Sequence, residues 1–164
     1  MKLIAEKRGK TDKLDHLRYL RSDGSSTETA MPRQGILPHD LVHYVVETGL
    51  GVRNGFTGLV ARGAAASFAM ETTHDPIGKE VEAEAIQVEA IVEALQTQLW
   101  SGQFSEADFL EGVRTACLMR ETPTFAFTAP EAGAILFRSA LELDTQWKSV
   151  PFHDSLTLDF PEST

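Results

Sequence analysis

The alternation of apolar and polar positions changes character about a quarter of the way along the chain. Residues 2–8, 13–21 and 26–31 are extended in pattern: Leu17 and Tyr19 alternate with Arg18, and Ser22-Asp23-Gly24-Ser25 supplies turn chemistry between the second and third runs. These three segments predict a small antiparallel meander. Pro38 then opens a helix at a position where a missing N–H costs nothing, Leu41, Val42, Val45 and Val46 give it an apolar face, and Gly49 and Gly51 close it. The stretch 55–66 is rich in small residues and, as a helix, allows another backbone to approach closely, with the Pro38 helix as the neighbour.

Between Glu80 and Trp100 the residues Val81, Ala85, Val88, Val92, Leu95 and Leu99 recur at helical spacing and predict one long amphipathic helix. Ser105 with Asp108 and the Phe104/Phe109 pair read as an N-cap and a hydrophobic staple for a helix to about Met119. Thr128-Ala129-Pro130-Glu131 reads as a second cap, starting a final helix toward Trp147. Past Pro151, Leu156-Thr157-Leu158-Asp159-Phe160 alternates like a strand with one buried face. Having no local partner, it is expected to return to the N-terminal sheet. The prediction is a single α+β domain over residues 1–164, with a small antiparallel sheet (the N-terminal meander plus the C-terminal strand) packed on one face against a bundle of about five helices.

Composition narrows the function classes. In 164 residues the formal charge is −9, and the sequence pI is about 5.0. That is a poor match to nucleic acid, whose recognition rests on a Lys/Arg surface. The helix-turn-helix alternative has only Arg53 and Arg62 near its turn for phosphates. The charge is also uneven: residues 1–70 sum to +3 and residues 71–164 to −12, with the acids of the second part interleaved among apolar residues as solvated helix faces would be. No run of apolar residues approaches a membrane span, and the opening residues are too charged for a signal peptide. With a single cysteine, Cys117, read as a packing residue, the expectation is a cytoplasmic chain without disulfides.

One constellation carries chemistry. His39 and His43 stand at i and i+4 on the Pro38 helix, side by side on one face, the helical way to bring two imidazoles to one metal. Zinc suits such ligands, and the zinc hydrolases with a His-Glu-x-x-His helix use the same spacing; here Asp40 stands where they have Glu, as general base, ligand or partner of a ligand. Glu47 is too far along the axis to share a metal with His39 but can share one with His43. Asp40 and His43, at i and i+3, also match the carboxylate–His pairs of di-metal bundles. A third ligand has to come from elsewhere. Three of the five histidines precede an aspartate, which nominates His74-Asp75 and His153-Asp154 as donors, although Asp75 also reads as an N-cap and Asp154 as a turn residue. The metal candidates are therefore His39, His43, Glu47 and His74, with Asp40 as the catalytic candidate. The plain alternative for the histidine pair is structural: capping or packing at a helix start.

The residues from Pro38 to Glu47, with Gly55-Phe56-Thr57-Gly58-Leu59, Trp147 and Leu156–Pro161, resemble small uncharacterised bacterial proteins with a Pro-His-Asp-x-x-His-aromatic helix; that likeness spans most of the chain and implies no activity. Locally, His39-Asp40-Leu41-Val42-His43 is similar to the His-Asp-x-x-His zinc motif of a coenzyme Q biosynthesis family, which carries a further Glu downstream where this chain has Gly55. Two functional readings follow. One is a divalent-metal protein, zinc by ligand type, with hydrolase- or lyase-like chemistry on a small molecule. The other is a non-enzymatic interaction or structural protein that uses the acidic helix 80–100 as a homodimer seam or partner face.

Overall fold

The computed structural model describes residues 1–67 and 83–162. Three strands, β1 (Lys2–Glu6), β2 (Leu14–Leu20) and β3 (Ser26–Pro32), form the meander, and β4 (Ser155–Asp159) returns to it. The sheet is antiparallel throughout, in the order β3-β2-β1-β4. Its register aligns Leu3 with Tyr19 and with Leu158, and Ala5 with Leu17 and with Leu156. One face therefore carries Leu3, Ala5, Leu17, Tyr19 and Met31, all buried, while Glu6, Arg18 and Glu28 fall on the other. Closure at the two ends of the chain is tight: the Phe160 N–H donates to the Met1 carbonyl at 2.8 Å, and the Met1 ammonium donates to the Phe160 carbonyl at 2.9 Å.

Among the described residues five helices follow: α1 (His39–Leu50), α2 (Phe56–Ala61), α3 (Ala83–Ser101), α4 (Glu106–Met119) and α5 (Ala132–Ser149). Pro38 is the N-cap of α1, so the helix begins one residue later than the sequence suggests, and Gly51 ends it with φ 67°. Gly49 lies inside α1 and does not terminate it. A Cβ there would stand 2.6 Å from Leu136 of α5, so this glycine is a packing contact. Ser105 caps α4 as its spacing predicts, accepting the Asp108 N–H, and the Phe104 and Phe109 rings meet at 5.9 Å. The cap expected at Thr128 does not form. Glu131 is the N-cap of α5, and its Ala134 N–H is taken by the Glu106 carboxylate of α4 at 3.1 Å, so a neighbouring helix supplies the acceptor that the local sequence was expected to provide.

Helix α3 is the axis of the bundle and packs against α1, α4 and α5. Ala85, Val88, Val92, Leu95 and Leu99 of the predicted stripe are buried, as are Ala90, Ile91 and Ala94 on flanking positions; Val81 lies outside the described residues. The stripe nominated as a dimer seam is thus consumed within the chain's own core. Cys117 is fully buried, and burial pushes its thiol up. No helix among the described residues is long and apolar enough to cross a membrane.

One buried polar tie holds the open end of the meander. Asp15 sits at the inner face of β2 and accepts from Arg33 Nε at 3.0 Å, Arg33 Nη2 at 2.8 Å and the Arg8 N–H at 2.8 Å. Burial would push the Asp15 carboxyl up, but the Arg33 guanidinium and the Arg8 amide outweigh it and hold the carboxyl below its ordinary value. A carboxyl depressed by folding stabilises the fold above its unfolded pKa of about 4, and that contribution disappears as the pH falls through the lower native value. Asp15→Ala is expected to cost about 2 kcal/mol at neutral pH, and the difference from the parent should shrink below about pH 4. Urea unfolding of both proteins at neutral and acidic pH measures it; a gap that stays constant across that range would refute the assignment.

Candidate metal centre

The centre lies where α1 faces α3. The Pro38 turn starts α1 so that His39 and His43 project from one face, their rings edge to face with centroids 4.8 Å apart. Glu89 of α3 meets them. Its Oε1 is 3.7 Å from His39 Nε2 and its Oε2 is 3.1 Å from His43 Nε2. One ligand atom from each of His39, His43 and Glu89 lies within 4.8 Å of the others. A tetrahedral ion with bonds near 2.1 Å sets its donors about 3.4 Å apart, a spacing that the two Glu89 contacts bracket. The third ligand missing from the sequence reading is therefore available from Glu89.

Glu47 occupies the opposite side of His43, its Oε2 3.4 Å from Nδ1. Its carboxylate is otherwise committed: Oε2 accepts the Thr57 N–H at 3.0 Å and Oε1 accepts the Gly58 N–H at 2.9 Å. These are the second and third amides of α2, so Glu47 is the anionic cap that the short helix lacks in its own sequence. Gly55 makes room for it, because a Cβ there would stand 2.4 Å from the Glu47 carboxyl carbon.

Electrostatics follow from burial. Desolvation alone would drive the His43 imidazole down, but Glu89 and Glu47 on its two sides raise it, to about 10. Neither contact has the angles of a hydrogen bond, so the imidazole is held between carboxylates by charge and packing against Phe56, 5.4 Å away. Asp40, only 3% exposed, is raised to about 6, first by burial, then by opposing influences of His43, which lowers it, and Glu89, which raises it. Tyr19, reaching in from β2, is pushed well above the usual phenol range by burial and by Asp40 and Glu47. Among the described residues, Asp40 Oδ1, Tyr19 OH and Thr57 Oγ1 are buried without a hydrogen-bond partner.

Of the residues nominated from sequence, His39, His43, Asp40 and Glu47 are brought to this centre, whereas His74 lies outside the described residues. His153 is exposed in the turn before β4, against Gly9. Glu89 was missed because its helix read as an apolar stripe with a solvated acidic face. The signal was present: Glu89 interrupts the run Val88-Glu89-Ala90-Ile91-Val92, and an acid in the middle of such a run has no solvent to face if both flanks are covered. No protein-family model, curated protein sequence or solved structure matches the chain.

The packing of Glu47 against Gly55 generates a direct expectation. Gly55→Ala forces the carboxylate off the α2 amides, which should cost about 1–3 kcal/mol and release α2 before the rest of the fold. Hydrogen exchange at the Thr57 and Gly58 amides, set against exchange at the β1 amides, reads this. Equal protection in parent and variant would show that Glu47 does not hold the helix.

Proposed function

We propose that this chain binds a divalent metal ion, zinc by ligand type, through His39, His43 and Glu89. What carries the reading is the convergence of two imidazoles and a carboxylate, from two different helices, at a point in the interior. Two nitrogens and one oxygen are a ligand set that zinc accepts, and three protein ligands leave a fourth position for water or a substrate atom. Glu47, behind His43, orients that ring and does not compete for the ion, the part that carboxylates commonly play behind metal-ligating histidines.

The chemistry such a centre supplies is polarisation of water or of a carbonyl, the basis of hydrolase- and lyase-like reactions. In this reading Asp40 takes the proton. It sits on α1 between the two histidine ligands, is buried, and has an oxygen with no protein partner. Tyr19 and Thr57 add two hydroxyls able to hold a polar group beside it. Of the three proposed ligands His39 has the most exposed side chain, at 28% against 2% and 7% for His43 and Glu89.

Zinc titrated into chelator-treated protein by calorimetry should bind once per chain. At a hundredfold excess over the dissociation constant, binding should raise the melting temperature by about 5–10 °C. Glu89→Gln and His43→Ala should lose that shift, while Asp40→Asn keeps it. If the parent takes up no zinc, cobalt or manganese, the cluster is a buried network of charges around an imidazolium and the reading fails.

A further inference from the structure

A second site lies away from the metal centre, where the open end of the meander meets the C-terminus of α5. A cleft of about 260 Å³ is bounded there by Lys7, Asp15, Arg33, Pro38, Trp147 and Phe152, together with neighbouring residues of the 34–36 loop and the last turn of α5. Five charged side chains line it: the cations Lys7, Arg33 and Lys148 and the acids Asp15 and Asp144. The cleft is therefore cationic by one charge in a protein whose net charge is −9.

That surplus can be assigned to one residue. Arg33 is spent: its guanidinium donates to both Asp15 oxygens and to the Gly9 and Asp12 carbonyls. Lys148 is paired with Asp144 at 2.7 Å and points largely to solvent. Lys7 is different. Its Nζ lies 4.8 Å from the centre of the Trp147 ring and makes a single hydrogen bond, to the Trp147 carbonyl, so two of its three N–H donors have no protein acceptor among the described residues. The cleft's apolar lining is Ile36, Pro38, Trp147 and Phe152, of which Phe152 stands 48% exposed with the Arg33 guanidinium 5.8 Å from its ring centre.

We infer that this cleft binds a small carboxylate carrying a flat apolar group, the carboxylate on Lys7 and the ring against Phe152 and Ile36. An ammonium with unspent donors inside an apolar, partly enclosed wall recognises a carboxylate by charge-assisted hydrogen bonds, which are stronger there than in water. The exposed aromatic at the rim supplies the face on which a planar group stacks. A ligand lacking either part leaves one of the two features unused. The inference is independent of the metal centre and stands whether or not an ion binds at His39.

Phenylacetate is a suitable probe, followed by calorimetry and by Trp147 fluorescence in a Trp100→Phe background that leaves Trp147 as the reporter. Saturable binding with a dissociation constant below about 1 mM is expected. Acetate, with the charge and no ring, and benzylamine, with the ring and the opposite charge, should each bind at least about tenfold more weakly. Lys7→Met should weaken phenylacetate by about tenfold or more. Because that change also removes the bond to the Trp147 carbonyl, Phe152→Ser, a surface substitution that leaves the fold intact, should weaken phenylacetate while leaving the melting temperature unchanged. Absence of saturation, equal binding of benzylamine, or parental affinity in both variants overturns the proposal.

Discussion

Besides Asp15, three carboxylates among the described residues, Asp40, Glu47 and Glu89, are taken out of water in the interior of this small fold, and the arrangement around them is shaped by the need to compensate that charge. An isolated buried carboxylate is so unfavourable that it either neutralises or finds a positive partner. Each of the three solves the problem differently. Glu47 is satisfied by two backbone amides at the positive end of α2. Asp40 is pushed toward neutrality, to about 6. Glu89 lies against the imidazoles of His39 and His43 and, together with Glu47, raises His43 to about 10. The interior calls for a cation between α1 and α3, and a proton on His43 or a metal ion can each supply it.

That requirement explains local features that otherwise look unrelated. Helix α2 is six residues long, below the length at which helices hold themselves together, and its N-cap Gly55 offers no side chain. Its second and third amides are taken by the Glu47 carboxylate. Gly55 must lack a Cβ so that the carboxylate can approach, and Gly58 must lack one because a Cβ would stand 2.0 Å from the Arg53 carbonyl. Two of the glycines that made the 55–66 stretch look merely small are therefore the geometric condition for anchoring Glu47, and so for fixing the side of His43 that faces away from Glu89.

Much of the fold was legible in the order of residues. The alternating strands, the turn at Ser22–Ser25, the return of the last strand to the sheet and the long Val88–Leu99 helix follow from periodicity, because each element buries a single well-marked face. The histidine pair was legible for a similar reason, since i and i+4 on a helix share a face whatever surrounds them. Glu89 was not. An amphipathic pattern reports one apolar stripe, but α3 is enclosed by α1, α4 and α5, and how many sides of a helix are covered is decided by residues far away in sequence. The same blindness affected the start of α5, where an acid on α4 does what Thr128 was expected to do. Charge counting also misled in one respect: the acids of residues 71–164 were read as solvated helix faces, yet Glu89 among them is buried against His39 and His43.

Enclosure constrains what this centre can meet. His43, Glu47 and Glu89 are almost wholly enclosed, and the hydroxyls of Tyr19 and Thr57 are buried with them, so none of these groups can meet a macromolecule. A ligand set drawn from α1 and α3 also ties together the two helices at the middle of the bundle, whereas a metal held by α1 alone would leave the interior charge of Glu89 unanswered. An ion taken up between Glu89 and the two imidazoles would therefore couple binding to folding through the same atoms, because it would bridge α1 and α3 beside His43, whose other side faces Glu47.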